Sequence, residues 1–571
     1  MRLVDSRRLT GVNLDIDEPG TIAEVAFDPG DDRERALAVW HSSVAGVTEM
    51  FGWHSPRVVR LYPDGQHAAL VFAAPRDALY LATDINEWAV DCAARTLRGE
   101  PIPSPHDLYP TWRAAQEREL VGPLALLEAA AARERLPLLL DDDHLSIGSG
   151  AGSRTWPRAS PPTPADVPWS DLRAIPVALV TGTNGKTTTA RMLARIARHA
   201  GHVPGNTSTD GLAIDEQVVE PGDWTGPGAA RIVLRDPRVT LAVLEVARGG
   251  ILRRGLAVDR CDVACVTNVA PDHLGEYGID DLAAMARVKA VVTRVVRPDG
   301  RVVLGADSPP LLALSPAAFP APVTWFARAH DHPRLVAHRA AGGEVFFVAP
   351  TGQLTRGRGD RPDEPILPVA DIPACFGGAA THNVANALAA AACASALGLP
   401  DAAIAAGLRS FADNPGRATV VRLGDLQLFL DFAHNPHGIA AVAPLLARLR
   451  GERRLLVSVG VAGDRRDDDI RAVARAVADL RPDLVLTRDL EHYLRGRQPG
   501  DVPAILESEL AALAIPCERV GGEVDAIRRA LAWARPGDLA AILVHVDRDE
   551  VLAELRARGL DPSGAAPRTS P

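Results

Sequence analysis

Short apolar runs alternate with longer amphipathic stretches along most of this chain. In its middle part the apolar runs lie at residues 177–180, 241–244, 263–266 and 302–304, with helix-like stretches between them. Each run has the length of one buried strand, and such alternation is typical of a mostly parallel sheet with helices on both faces. The pattern therefore predicts a parallel-sheet α/β domain here.

The same alternation restarts near residue 414, after the sequence Asn-Pro-Gly-Arg. Proline and glycine together indicate a break between two structural units. Beyond this break, strands are predicted at residues 427–430, 455–459, 484–486 and 540–544. The pattern favours a second, smaller doubly wound domain of the Rossmann-like kind.

The first 150 residues combine a strand-like run at 68–73 with a helix-like stretch at 114–134, which predicts a small α/β N-terminal domain. A stretch rich in glycine, serine and proline at residues 148–168 predicts a linker. A chain of 571 residues is too long for one compact core, so several domains are expected. The predicted division is an N-terminal domain at 1–150, a linker at 151–168, a central domain at 169–413 and a C-terminal domain at 414–571.

The most informative motif is the sequence Gly-Thr-Asn-Gly-Lys-Thr-Thr at residues 182–188, between the first central strand and a helix. Small residues let backbone N–H groups approach phosphates, and a helix N-terminus adds partial positive charge there. Lys186 can reach the β- and γ-phosphates of a nucleotide, and the Thr187 hydroxyl can bind Mg²⁺. The motif predicts ATP and Mg²⁺, and its alternative interpretation is an ordinary strand-to-helix turn. The residues predicted to bind the phosphates are Gly182, Thr183, Asn184, Gly185, Lys186, Thr187 and Thr188.

Two polar side chains follow neighbouring predicted strands. Glu245 comes directly after the run at 241–244, and His273 follows the run at 263–266. Because parallel strands end at one edge of a sheet, both should lie near the phosphate loop, where they can hold Mg²⁺. Taken singly, such a glutamate is often the neighbour of a helix N-cap, and a lone histidine is more often an ordinary surface or core residue. Lys289 lies on a predicted amphipathic helix, where spacing alone favours a solvated face.

The phosphate loop departs from the commonest pattern, because position 180 is valine where that pattern has glycine. Its form, together with His-Asn-x-x-Asn at 382–386, Gly-Arg at 416–417 and Asp-Phe-Ala-His-Asn-Pro at 431–436, resembles the Mur ligase family. Members of that family join amino acids to carboxylates at the expense of ATP. The resemblance covers roughly residues 170–550 and implies a central ATP-binding domain followed by a Rossmann-like domain.

The resemblance also implies roles that spacing alone does not. Arg417 would reach the phosphates from the domain boundary, Asp431 would contact the ribose, and His434 would face the cleft. Lys289 would be carbamylated and would help to hold a second Mg²⁺. The residues that would contact the nucleotide base are His382, Asn383 and Asn386. The predicted metal-binding residues are Thr187, Glu245, His273 and Lys289, and the predicted catalytic residues are Lys186, Glu245, His273, Lys289 and Arg417.

Further segments narrow the resemblance to the Mur-type half of the cyanophycin synthetases. They lie at residues 209–211, 222–227, 245–253, 462–467 and 494–497, and weaker similarity to the leading domain of those enzymes lies at 9–14, 74–80 and 86–88. Cyanophycin synthetases carry an ATP-grasp ligase domain between these two parts. Here the stretch between residue 88 and the predicted linker is too short for such a domain, so one ATP site is expected.

Composition excludes some classes of protein. The formal net charge is −10, which argues against a nucleic-acid footprint. We find no apolar run of about 18 residues, so no membrane-spanning helix is expected. The polar N-terminus is unlike a signal peptide, and the six cysteines are scattered, so a reducing cytoplasm is the expected location.

The sequence therefore predicts an ATP-dependent amide ligase that works through an acyl phosphate and releases ADP and phosphate. Its expected substrates are an amino acid and an acidic peptide or other carboxylate, without nucleic acid or membrane as partners, and homo-oligomerisation stays open. Two alternatives remain at this point: a folylpolyglutamate-synthase-like ligase, and a nucleotide-binding scaffold with reduced catalysis that serves another synthetase.

Overall fold

A computed structural model describes residues 1–412, 414–423 and 426–560 of the chain. Its strands form a central 11-stranded sheet, a six-stranded sheet after it, and smaller sheets of four and three strands before it. The predicted α/β fold, with a central parallel-sheet region and a Rossmann-like region after it, is confirmed. The predicted boundary residue 413, residues 424–425 and the end of the predicted C-terminal domain at 561–571 lie outside the described residues.

The N-terminal region is an antiparallel sheet of order β1-β2-β4-β3 with helices packed on one face. Successive side chains of a strand point to opposite faces, so Leu70 and Phe72 join the core beneath the helices, whereas Val71 joins a smaller cluster with Tyr62 on the other face. The elements are β1 (Arg2–Leu9), β2 (Gly20–Ala26), α1 (Arg33–Met50), β3 (Arg57–Leu61), β4 (His67–Ala73), α2 (Leu79–Arg98), α3 (Pro105–Glu119), α4 (Leu124–Arg133), β5 (Leu138–Leu140), β6 (His144–Ile147) and β7 (Arg154–Pro157).

One long helix-like stretch of this region is two helices. The stretch expected at 114–134 is divided between α3 and α4, because the chain leaves helical geometry at Leu120, where ψ is 131°. Proline lacks an N–H group and disfavours helical geometry in the residue before it, so Gly122-Pro123 prevents the two helices from joining. The pair of residues was visible in the sequence as a break signal.

The glycine-rich stretch that predicted a linker is packed over part of its length. Arg154–Pro157 forms β7, which pairs with β6 in an antiparallel manner. A Cβ atom on Gly150 would lie 2.3 Å from the Val239 carbonyl oxygen, and one on Gly152 would lie 2.6 Å from that of Arg173. These glycines therefore permit close packing on the central region, whereas composition had suggested flexibility.

The central sheet has the order β11-β10-β9-β12-β8-β13-β14-β15-β16-β17-β18. Strands β9 to β16 in that order run parallel, and antiparallel strands extend both edges. The strands are β8 (Val177–Thr181), β9 (Pro204–Ser208), β10 (Gly211–Ile214), β11 (Gln217–Pro221), β12 (Leu241–Glu245), β13 (Cys261–Val266), β14 (Val296–Gly305), β15 (Val323–Ala329), β16 (Glu344–Val348), β17 (Gln353–Arg358) and β18 (Glu364–Pro368). The helices are α5 (Lys186–His199), α6 (Pro227–Arg235), α7 (Arg248–Arg254), α8 (Leu282–Ala290), α9 (Pro309–Leu312), α10 (Pro333–Ala340), α11 (Thr381–Ala396) and α12 (Asp401–Ser410).

The third region is a sheet of order β19-β20-β24-β21-β22-β23, parallel except for β19. Its elements are β19 (Thr419–Leu423), β20 (Leu426–Asp431), α13 (Pro436–Arg450), β21 (Leu455–Val459), α14 (Asp467–Ala478), β22 (Leu484–Thr487), α15 (Asp501–Ala512), β23 (Cys517–Arg519), α16 (Glu523–Trp533), β24 (Leu539–Leu543) and α17 (Arg548–Ala557). Among the described helices we find none with the length and apolar character needed to span a lipid bilayer.

Candidate active site

A cavity of about 810 Å³ lies between the central and C-terminal sheets. Its wall includes the phosphate loop after β8, the ends of β12 and β13, the start of α11 and the turn after β20. Open α/β sheets bind ligands at the carboxyl ends of their parallel strands, and this cavity has that location. Each residue that the sequence analysis assigned to the site lines it.

The phosphate loop has no room for larger side chains at two glycines. Gly182 and Gly185 have φ of +152° and +85°. A Cβ atom would lie 1.9 Å from Thr267 Oγ1 at the first and 2.1 Å from Asn386 Oδ1 at the second. Helix α5 begins at Lys186, directly after the loop, so its free N–H groups face the cavity. This geometry suits the binding of phosphate groups.

A hydroxyl and a carboxylate beside the loop form a donor set for a hard cation. Thr187 Oγ1 donates to Glu245 Oε2 at 2.8 Å, while Glu245 Oε1 is buried with no hydrogen-bond partner among the described residues. Burial raises the pKa of Glu245, although the charge of Lys186 opposes this shift. A divalent cation would satisfy the unpaired oxygen and favour the ionised carboxylate, so these residues fit Mg²⁺.

Lys289 is buried beneath the phosphate loop and is 4% exposed. Its Nζ donates to the Gly182 carbonyl oxygen at 2.9 Å. Burial, together with the charge of Lys186, holds the pKa of Lys289 well below the usual range of a lysine. The prediction from spacing alone, that Lys289 lies on a solvated face, is therefore wrong. This amine loses its proton more readily than the amine of an exposed lysine.

The chain contains only two lysines among its 62 lysine and arginine residues, and both line the cavity. Arginine stays protonated in proteins and has a larger planar head, whereas a lysine amine is compact and can lose its proton. Elsewhere the chain uses arginine for positive charge. The occurrence of the two lysines at 186 and 289 is therefore a further sequence signal for the site.

His273 lies in a network that joins the two sheets. Its Nδ1 lies 2.8 Å from Glu276 Oε1, and its Nε2 accepts from Arg465 Nη2 at 2.9 Å. Asp272 forms an ion pair with Arg465 at 2.8 Å, and its carboxylate lies 3.6 Å from His434 Nε2. Burial lowers the pKa of His273, against the opposing effect of Glu276, which favours a neutral ring. A metal ion at Nε2 would have to take the place of Arg465.

Sequence reasoning missed several residues of this network. Glu276 and Asp464 place ligand atoms within 4.8 Å of one another and of His273, and Asp464 Oδ1 is buried with no partner among the described residues. Asp464 and Arg465 follow β21 by a few residues. The strand-end argument that selected Glu245 and His273 could therefore have found them if it had been applied to the C-terminal sheet.

Arg417 bridges from the C-terminal region to the phosphate loop. Its Nε donates to Asp210 Oδ2 at 3.2 Å and its Nη2 to Thr209 Oγ1 at 3.0 Å, and Thr209 Oγ1 lies 3.1 Å from Thr187 Oγ1. Asp210 also forms ion pairs with Arg191 and Arg548. Burial favours the neutral acid, but the three arginines outweigh it and lower the pKa of Asp210 to about 2.

The side chains predicted to contact the nucleoside differ in which of their polar atoms already have a hydrogen-bond partner among the described residues. His382 Nδ1 lies 3.0 Å from the Ala441 carbonyl oxygen, and its Nε2 is buried without a partner among the described residues. Asn383 donates to the Ala374 carbonyl oxygen and accepts from Asn386. The carboxylate of Asp431 accepts two backbone N–H groups at 2.7 and 2.8 Å, so it shapes the turn after β20.

Comparisons with known proteins place this geometry in a family. A model of the Mur ligase middle domain matches residues 180–349, and one of the Mur ligase glutamate ligase domain matches 416–544. The UDP-N-acetylmuramoyl-L-alanyl-D-glutamate–2,6-diaminopimelate ligase of Corynebacterium glutamicum is 31% identical over 456 residues, which cover 74% of this chain and 81% of that protein. The chain belongs to the Mur ligase family.

Two other known proteins match a smaller share of this chain. The cyanophycin synthetase of Synechocystis sp. is 42% identical over 339 residues, which are 58% of this chain but only 38% of that protein's length. The solved structure of E. coli FolC in complex with ADP is 21% identical, with a TM-score of 0.50, over 67% of this chain and 90% of that one. The second similarity shows the fold alone. The resemblance inferred from the sequence is confirmed, and membership places the chain among ATP-dependent ligases that form carbon–nitrogen bonds.

For a Mur ligase with this cavity we expect Glu245→Gln and His273→Ala to raise the Mg²⁺ concentration needed for half-maximal turnover by about ten- to hundredfold. Each change would remove a predicted metal ligand beside the phosphate loop. Turnover titrated with Mg²⁺ measures the effect. Glu518→Gln, on the edge strand β23 and paired with Arg529, is the matched control and should behave as wild type. Unchanged Mg²⁺ dependence in both site variants would exclude their role in metal binding.

Proposed function

We propose that this Mur ligase joins an amino acid or another amine to a carboxylate through an acyl phosphate, with release of ADP and phosphate. One observation carries the proposal. A single cavity contains the phosphate loop with Lys186, the Thr187–Glu245 pair, the buried amine of Lys289 and the guanidinium of Arg417. These groups supply the cations and metal ligands that phosphoryl transfer to a carboxylate requires.

The first chemical difficulty is that the attacking carboxylate and the γ-phosphate are both anions. Lys186 and Arg417 offset their repulsion and stabilise the charge that builds on the transferred phosphoryl group. Mg²⁺, when bound, would neutralise further phosphate charge, and Thr187 and Glu245 are the residues that would hold it. The amine then attacks the acyl carbon, an amide bond forms, and phosphate leaves with the electron pair of the broken bond.

We propose further that Lys289 is carbamylated in the active enzyme. A neutral amine adds to carbon dioxide and loses a proton, which leaves a carbamate whose single negative charge is shared by two oxygens. The burial of Lys289 and the nearby charge of Lys186 favour the neutral amine. The carbamate and His273 would then be ligands of a second Mg²⁺, in place of the contact of His273 with Arg465.

An acyl phosphate must be protected from water, and contacts between the two sheets suit that need. The Asn184 side chain of the phosphate loop donates to Asn435 Oδ1 at 3.2 Å. Asp272 in the central region pairs with Arg465 in the C-terminal region. These contacts support a closed arrangement over the reacting groups.

Arg253 is the best candidate to receive the acceptor carboxylate. Of the three arginines that follow Glu245, Arg248 is buried and already bonded to Glu276 and to the His273 carbonyl oxygen, and Arg254 does not line the cavity. Arg253 lines the cavity and forms no hydrogen bond or ion pair within the described residues. An unpaired cation at this place favours an acidic acceptor.

The test of the function is whether ADP release requires both an added carboxylate and an added amine. We expect turnover when amino acids are screened with short acidic peptides, and one amide bond per ATP by mass spectrometry. ATP hydrolysis at the same rate with and without the carboxylate and the amine would favour the nucleotide-binding scaffold. The absence of turnover with every carboxylate–amine pair would favour it too. The cytoplasmic location expected from the sequence stays a prediction.

We also expect that the pure protein cannot make a polymer from free aspartate and free arginine with ATP and Mg²⁺ alone. The one nucleotide cavity among the described residues supports one activation reaction, whereas building a backbone and decorating it requires two. The enzyme should instead modify acidic substrates made beforehand. Mass spectrometry of a reaction without primer measures this, with a primed reaction as its control. A long aspartate–arginine polymer in the unprimed tube would show that a second activating site exists.

A further inference from the structure

The cavity wall between residues 272 and 279 has an unfavourable backbone conformation. His273 and Tyr277 have φ of +54° and +56°, in the left-handed region that side chains disfavour, and Gly275 and Gly278 have φ of +91° and +70°. Such conformations persist only where surrounding contacts impose them, and they cluster at functional sites. The contacts that impose this backbone conformation come from the central region and from the N-terminal region.

One set of contacts lies within the central region. Arg248 Nη1 donates to the His273 carbonyl oxygen at 2.8 Å, and the Gly275 N–H donates to the Ile279 carbonyl oxygen at 2.9 Å. The Ile279 N–H also donates to the Glu276 carbonyl oxygen at 3.0 Å, which closes a turn around Tyr277 and Gly278. None of these bonds is made to the carbonyl oxygen of Tyr277, whose side chain also lines the cavity.

The second set comes from the N-terminal region, more than two hundred residues away along the chain. Arg60 Nη1 donates to the Tyr277 carbonyl oxygen at 2.9 Å. The guanidinium of Arg7 lies 5.0 Å from the centroid of the Tyr277 ring. The ring of Tyr62 packs so closely on Gly278 that a Cβ atom there would lie 2.5 Å from it.

Arg60 is itself fixed in place. It is on β3, and its Nε donates to Asp15 Oδ1 at 2.7 Å, where the Asp15 side chain is 5% exposed. Backbone bonds fix the N-terminal region to the central one beside this contact, from Thr10 N to the Arg254 carbonyl oxygen and from Leu256 N to that of Val12. The bond from Arg60 to Tyr277 therefore connects the N-terminal region with the cavity wall of the central region.

We propose that the N-terminal region is a positioning element of the ligase site, and that Arg60 acts through the Tyr277 backbone to present Asp272, His273 and Glu276 to the cavity. The inference rests on the proposed function for its effect on turnover. Arg60 does not line the cavity, so it is a positioning residue. The phosphate loop is held by other contacts, and ATP binding should depend little on Arg60.

Arg60→Ala in the full chain is the test. We expect amide hydrogen exchange in residues 272–279 to become at least about tenfold faster, without change in the phosphate loop, because local opening becomes easier. We expect kcat to fall at least about tenfold while the KM for ATP changes less than about twofold, since ground-state nucleotide binding is retained. Arg60→Lys, which keeps one donor, should recover part of both effects.

Arg98→Ala is the matched control, because Arg98 is in the same region and its ion-pair partner within the described part of the chain is the exposed Glu100. Gly278→Ala disturbs the same contact from the central side and should produce the same loss of kcat and faster exchange, which covers the case that Arg60→Ala does not fold. Wild-type exchange and kcat in these variants, or equal losses in Arg98→Ala, would overturn the proposal. If the wild-type protein shows no substrate-dependent ADP release, the proposed function fails, while the exchange experiment still decides the coupling.

Discussion

Replacing Lys186 by alanine is expected to reduce ATP turnover at least about a hundredfold while the fold is retained. Lys186 is the first residue of helix α5, at the phosphate loop, and its Nζ donates to the Thr183 carbonyl oxygen at 3.1 Å. Loss of one charge-assisted contact to a transferring phosphoryl group costs about 3 to 4 kcal/mol of barrier. Steady-state ADP release by the purified variant measures the effect, and thermal unfolding checks the fold.

A matched variant separates this effect from a general loss of positive charge. Arg198 lies at the other end of the same helix, with its side chain 53% exposed, so Arg198→Ala should keep near-normal turnover. Lys186→Arg keeps the charge but brings a larger planar head into a loop that has no spare room. Near-normal turnover in Lys186→Ala would contradict the assignment of this loop to the transferred phosphate.

Lys289→Ala is expected to be nearly inactive, with a loss on the order of a hundredfold, and to regain part of its activity when a small carboxylate such as acetate is added. The reason is that a carbamate on Lys289 would be a metal ligand beside the Gly182 carbonyl oxygen, and an added carboxylate can occupy the space that the side chain leaves. Turnover as a function of acetate and of bicarbonate concentration measures both effects.

The rarity of lysine in this chain gives a direct test of the modification. Only Lys186, Lys289 and the N-terminal amine can form a carbamate, so ¹³C-labelled bicarbonate should give a carbamate carbon signal that is simple to assign. Lys289→Arg keeps the charge but cannot be carbamylated, because the guanidinium stays protonated. A signal of undiminished intensity in Lys289→Arg, or full activity of that variant, would exclude the carbamate at this position.

Much of the site was predictable because its signals are local. The phosphate loop is one strand, one turn and the start of one helix, so its residue types carry the geometry with them. Glu245 and His273 were found because parallel strands end at one edge of a sheet. The same argument was available for Asp464 and Arg465 after β21 but was applied only to the central sheet.

Other features depended on contacts between distant residues. The spacing of α8 suggested that Lys289 is exposed, yet its amine is bonded to Gly182, 107 positions earlier. Glycine content suggested a flexible linker, whereas Gly150 and Gly152 are packed against Val239 and Arg173. Glycine content shows only that these positions lack a side chain. It does not show that Val239 and Arg173 pack into the space where a side chain would lie.

Hydrophobic periodicity and short motifs act over a few residues, so they were enough to predict the strand–helix alternation of the central and C-terminal regions, the phosphate loop and the family. The partners of the site residues and the directions of their pKa shifts depend on the folded structure. Arg417 donates to Asp210, which lies 207 positions earlier in the chain, and Arg60 donates to Tyr277, which lies 217 positions later. Burial and electrostatic environment arise from such distant packing, and so they exist only in the folded molecule.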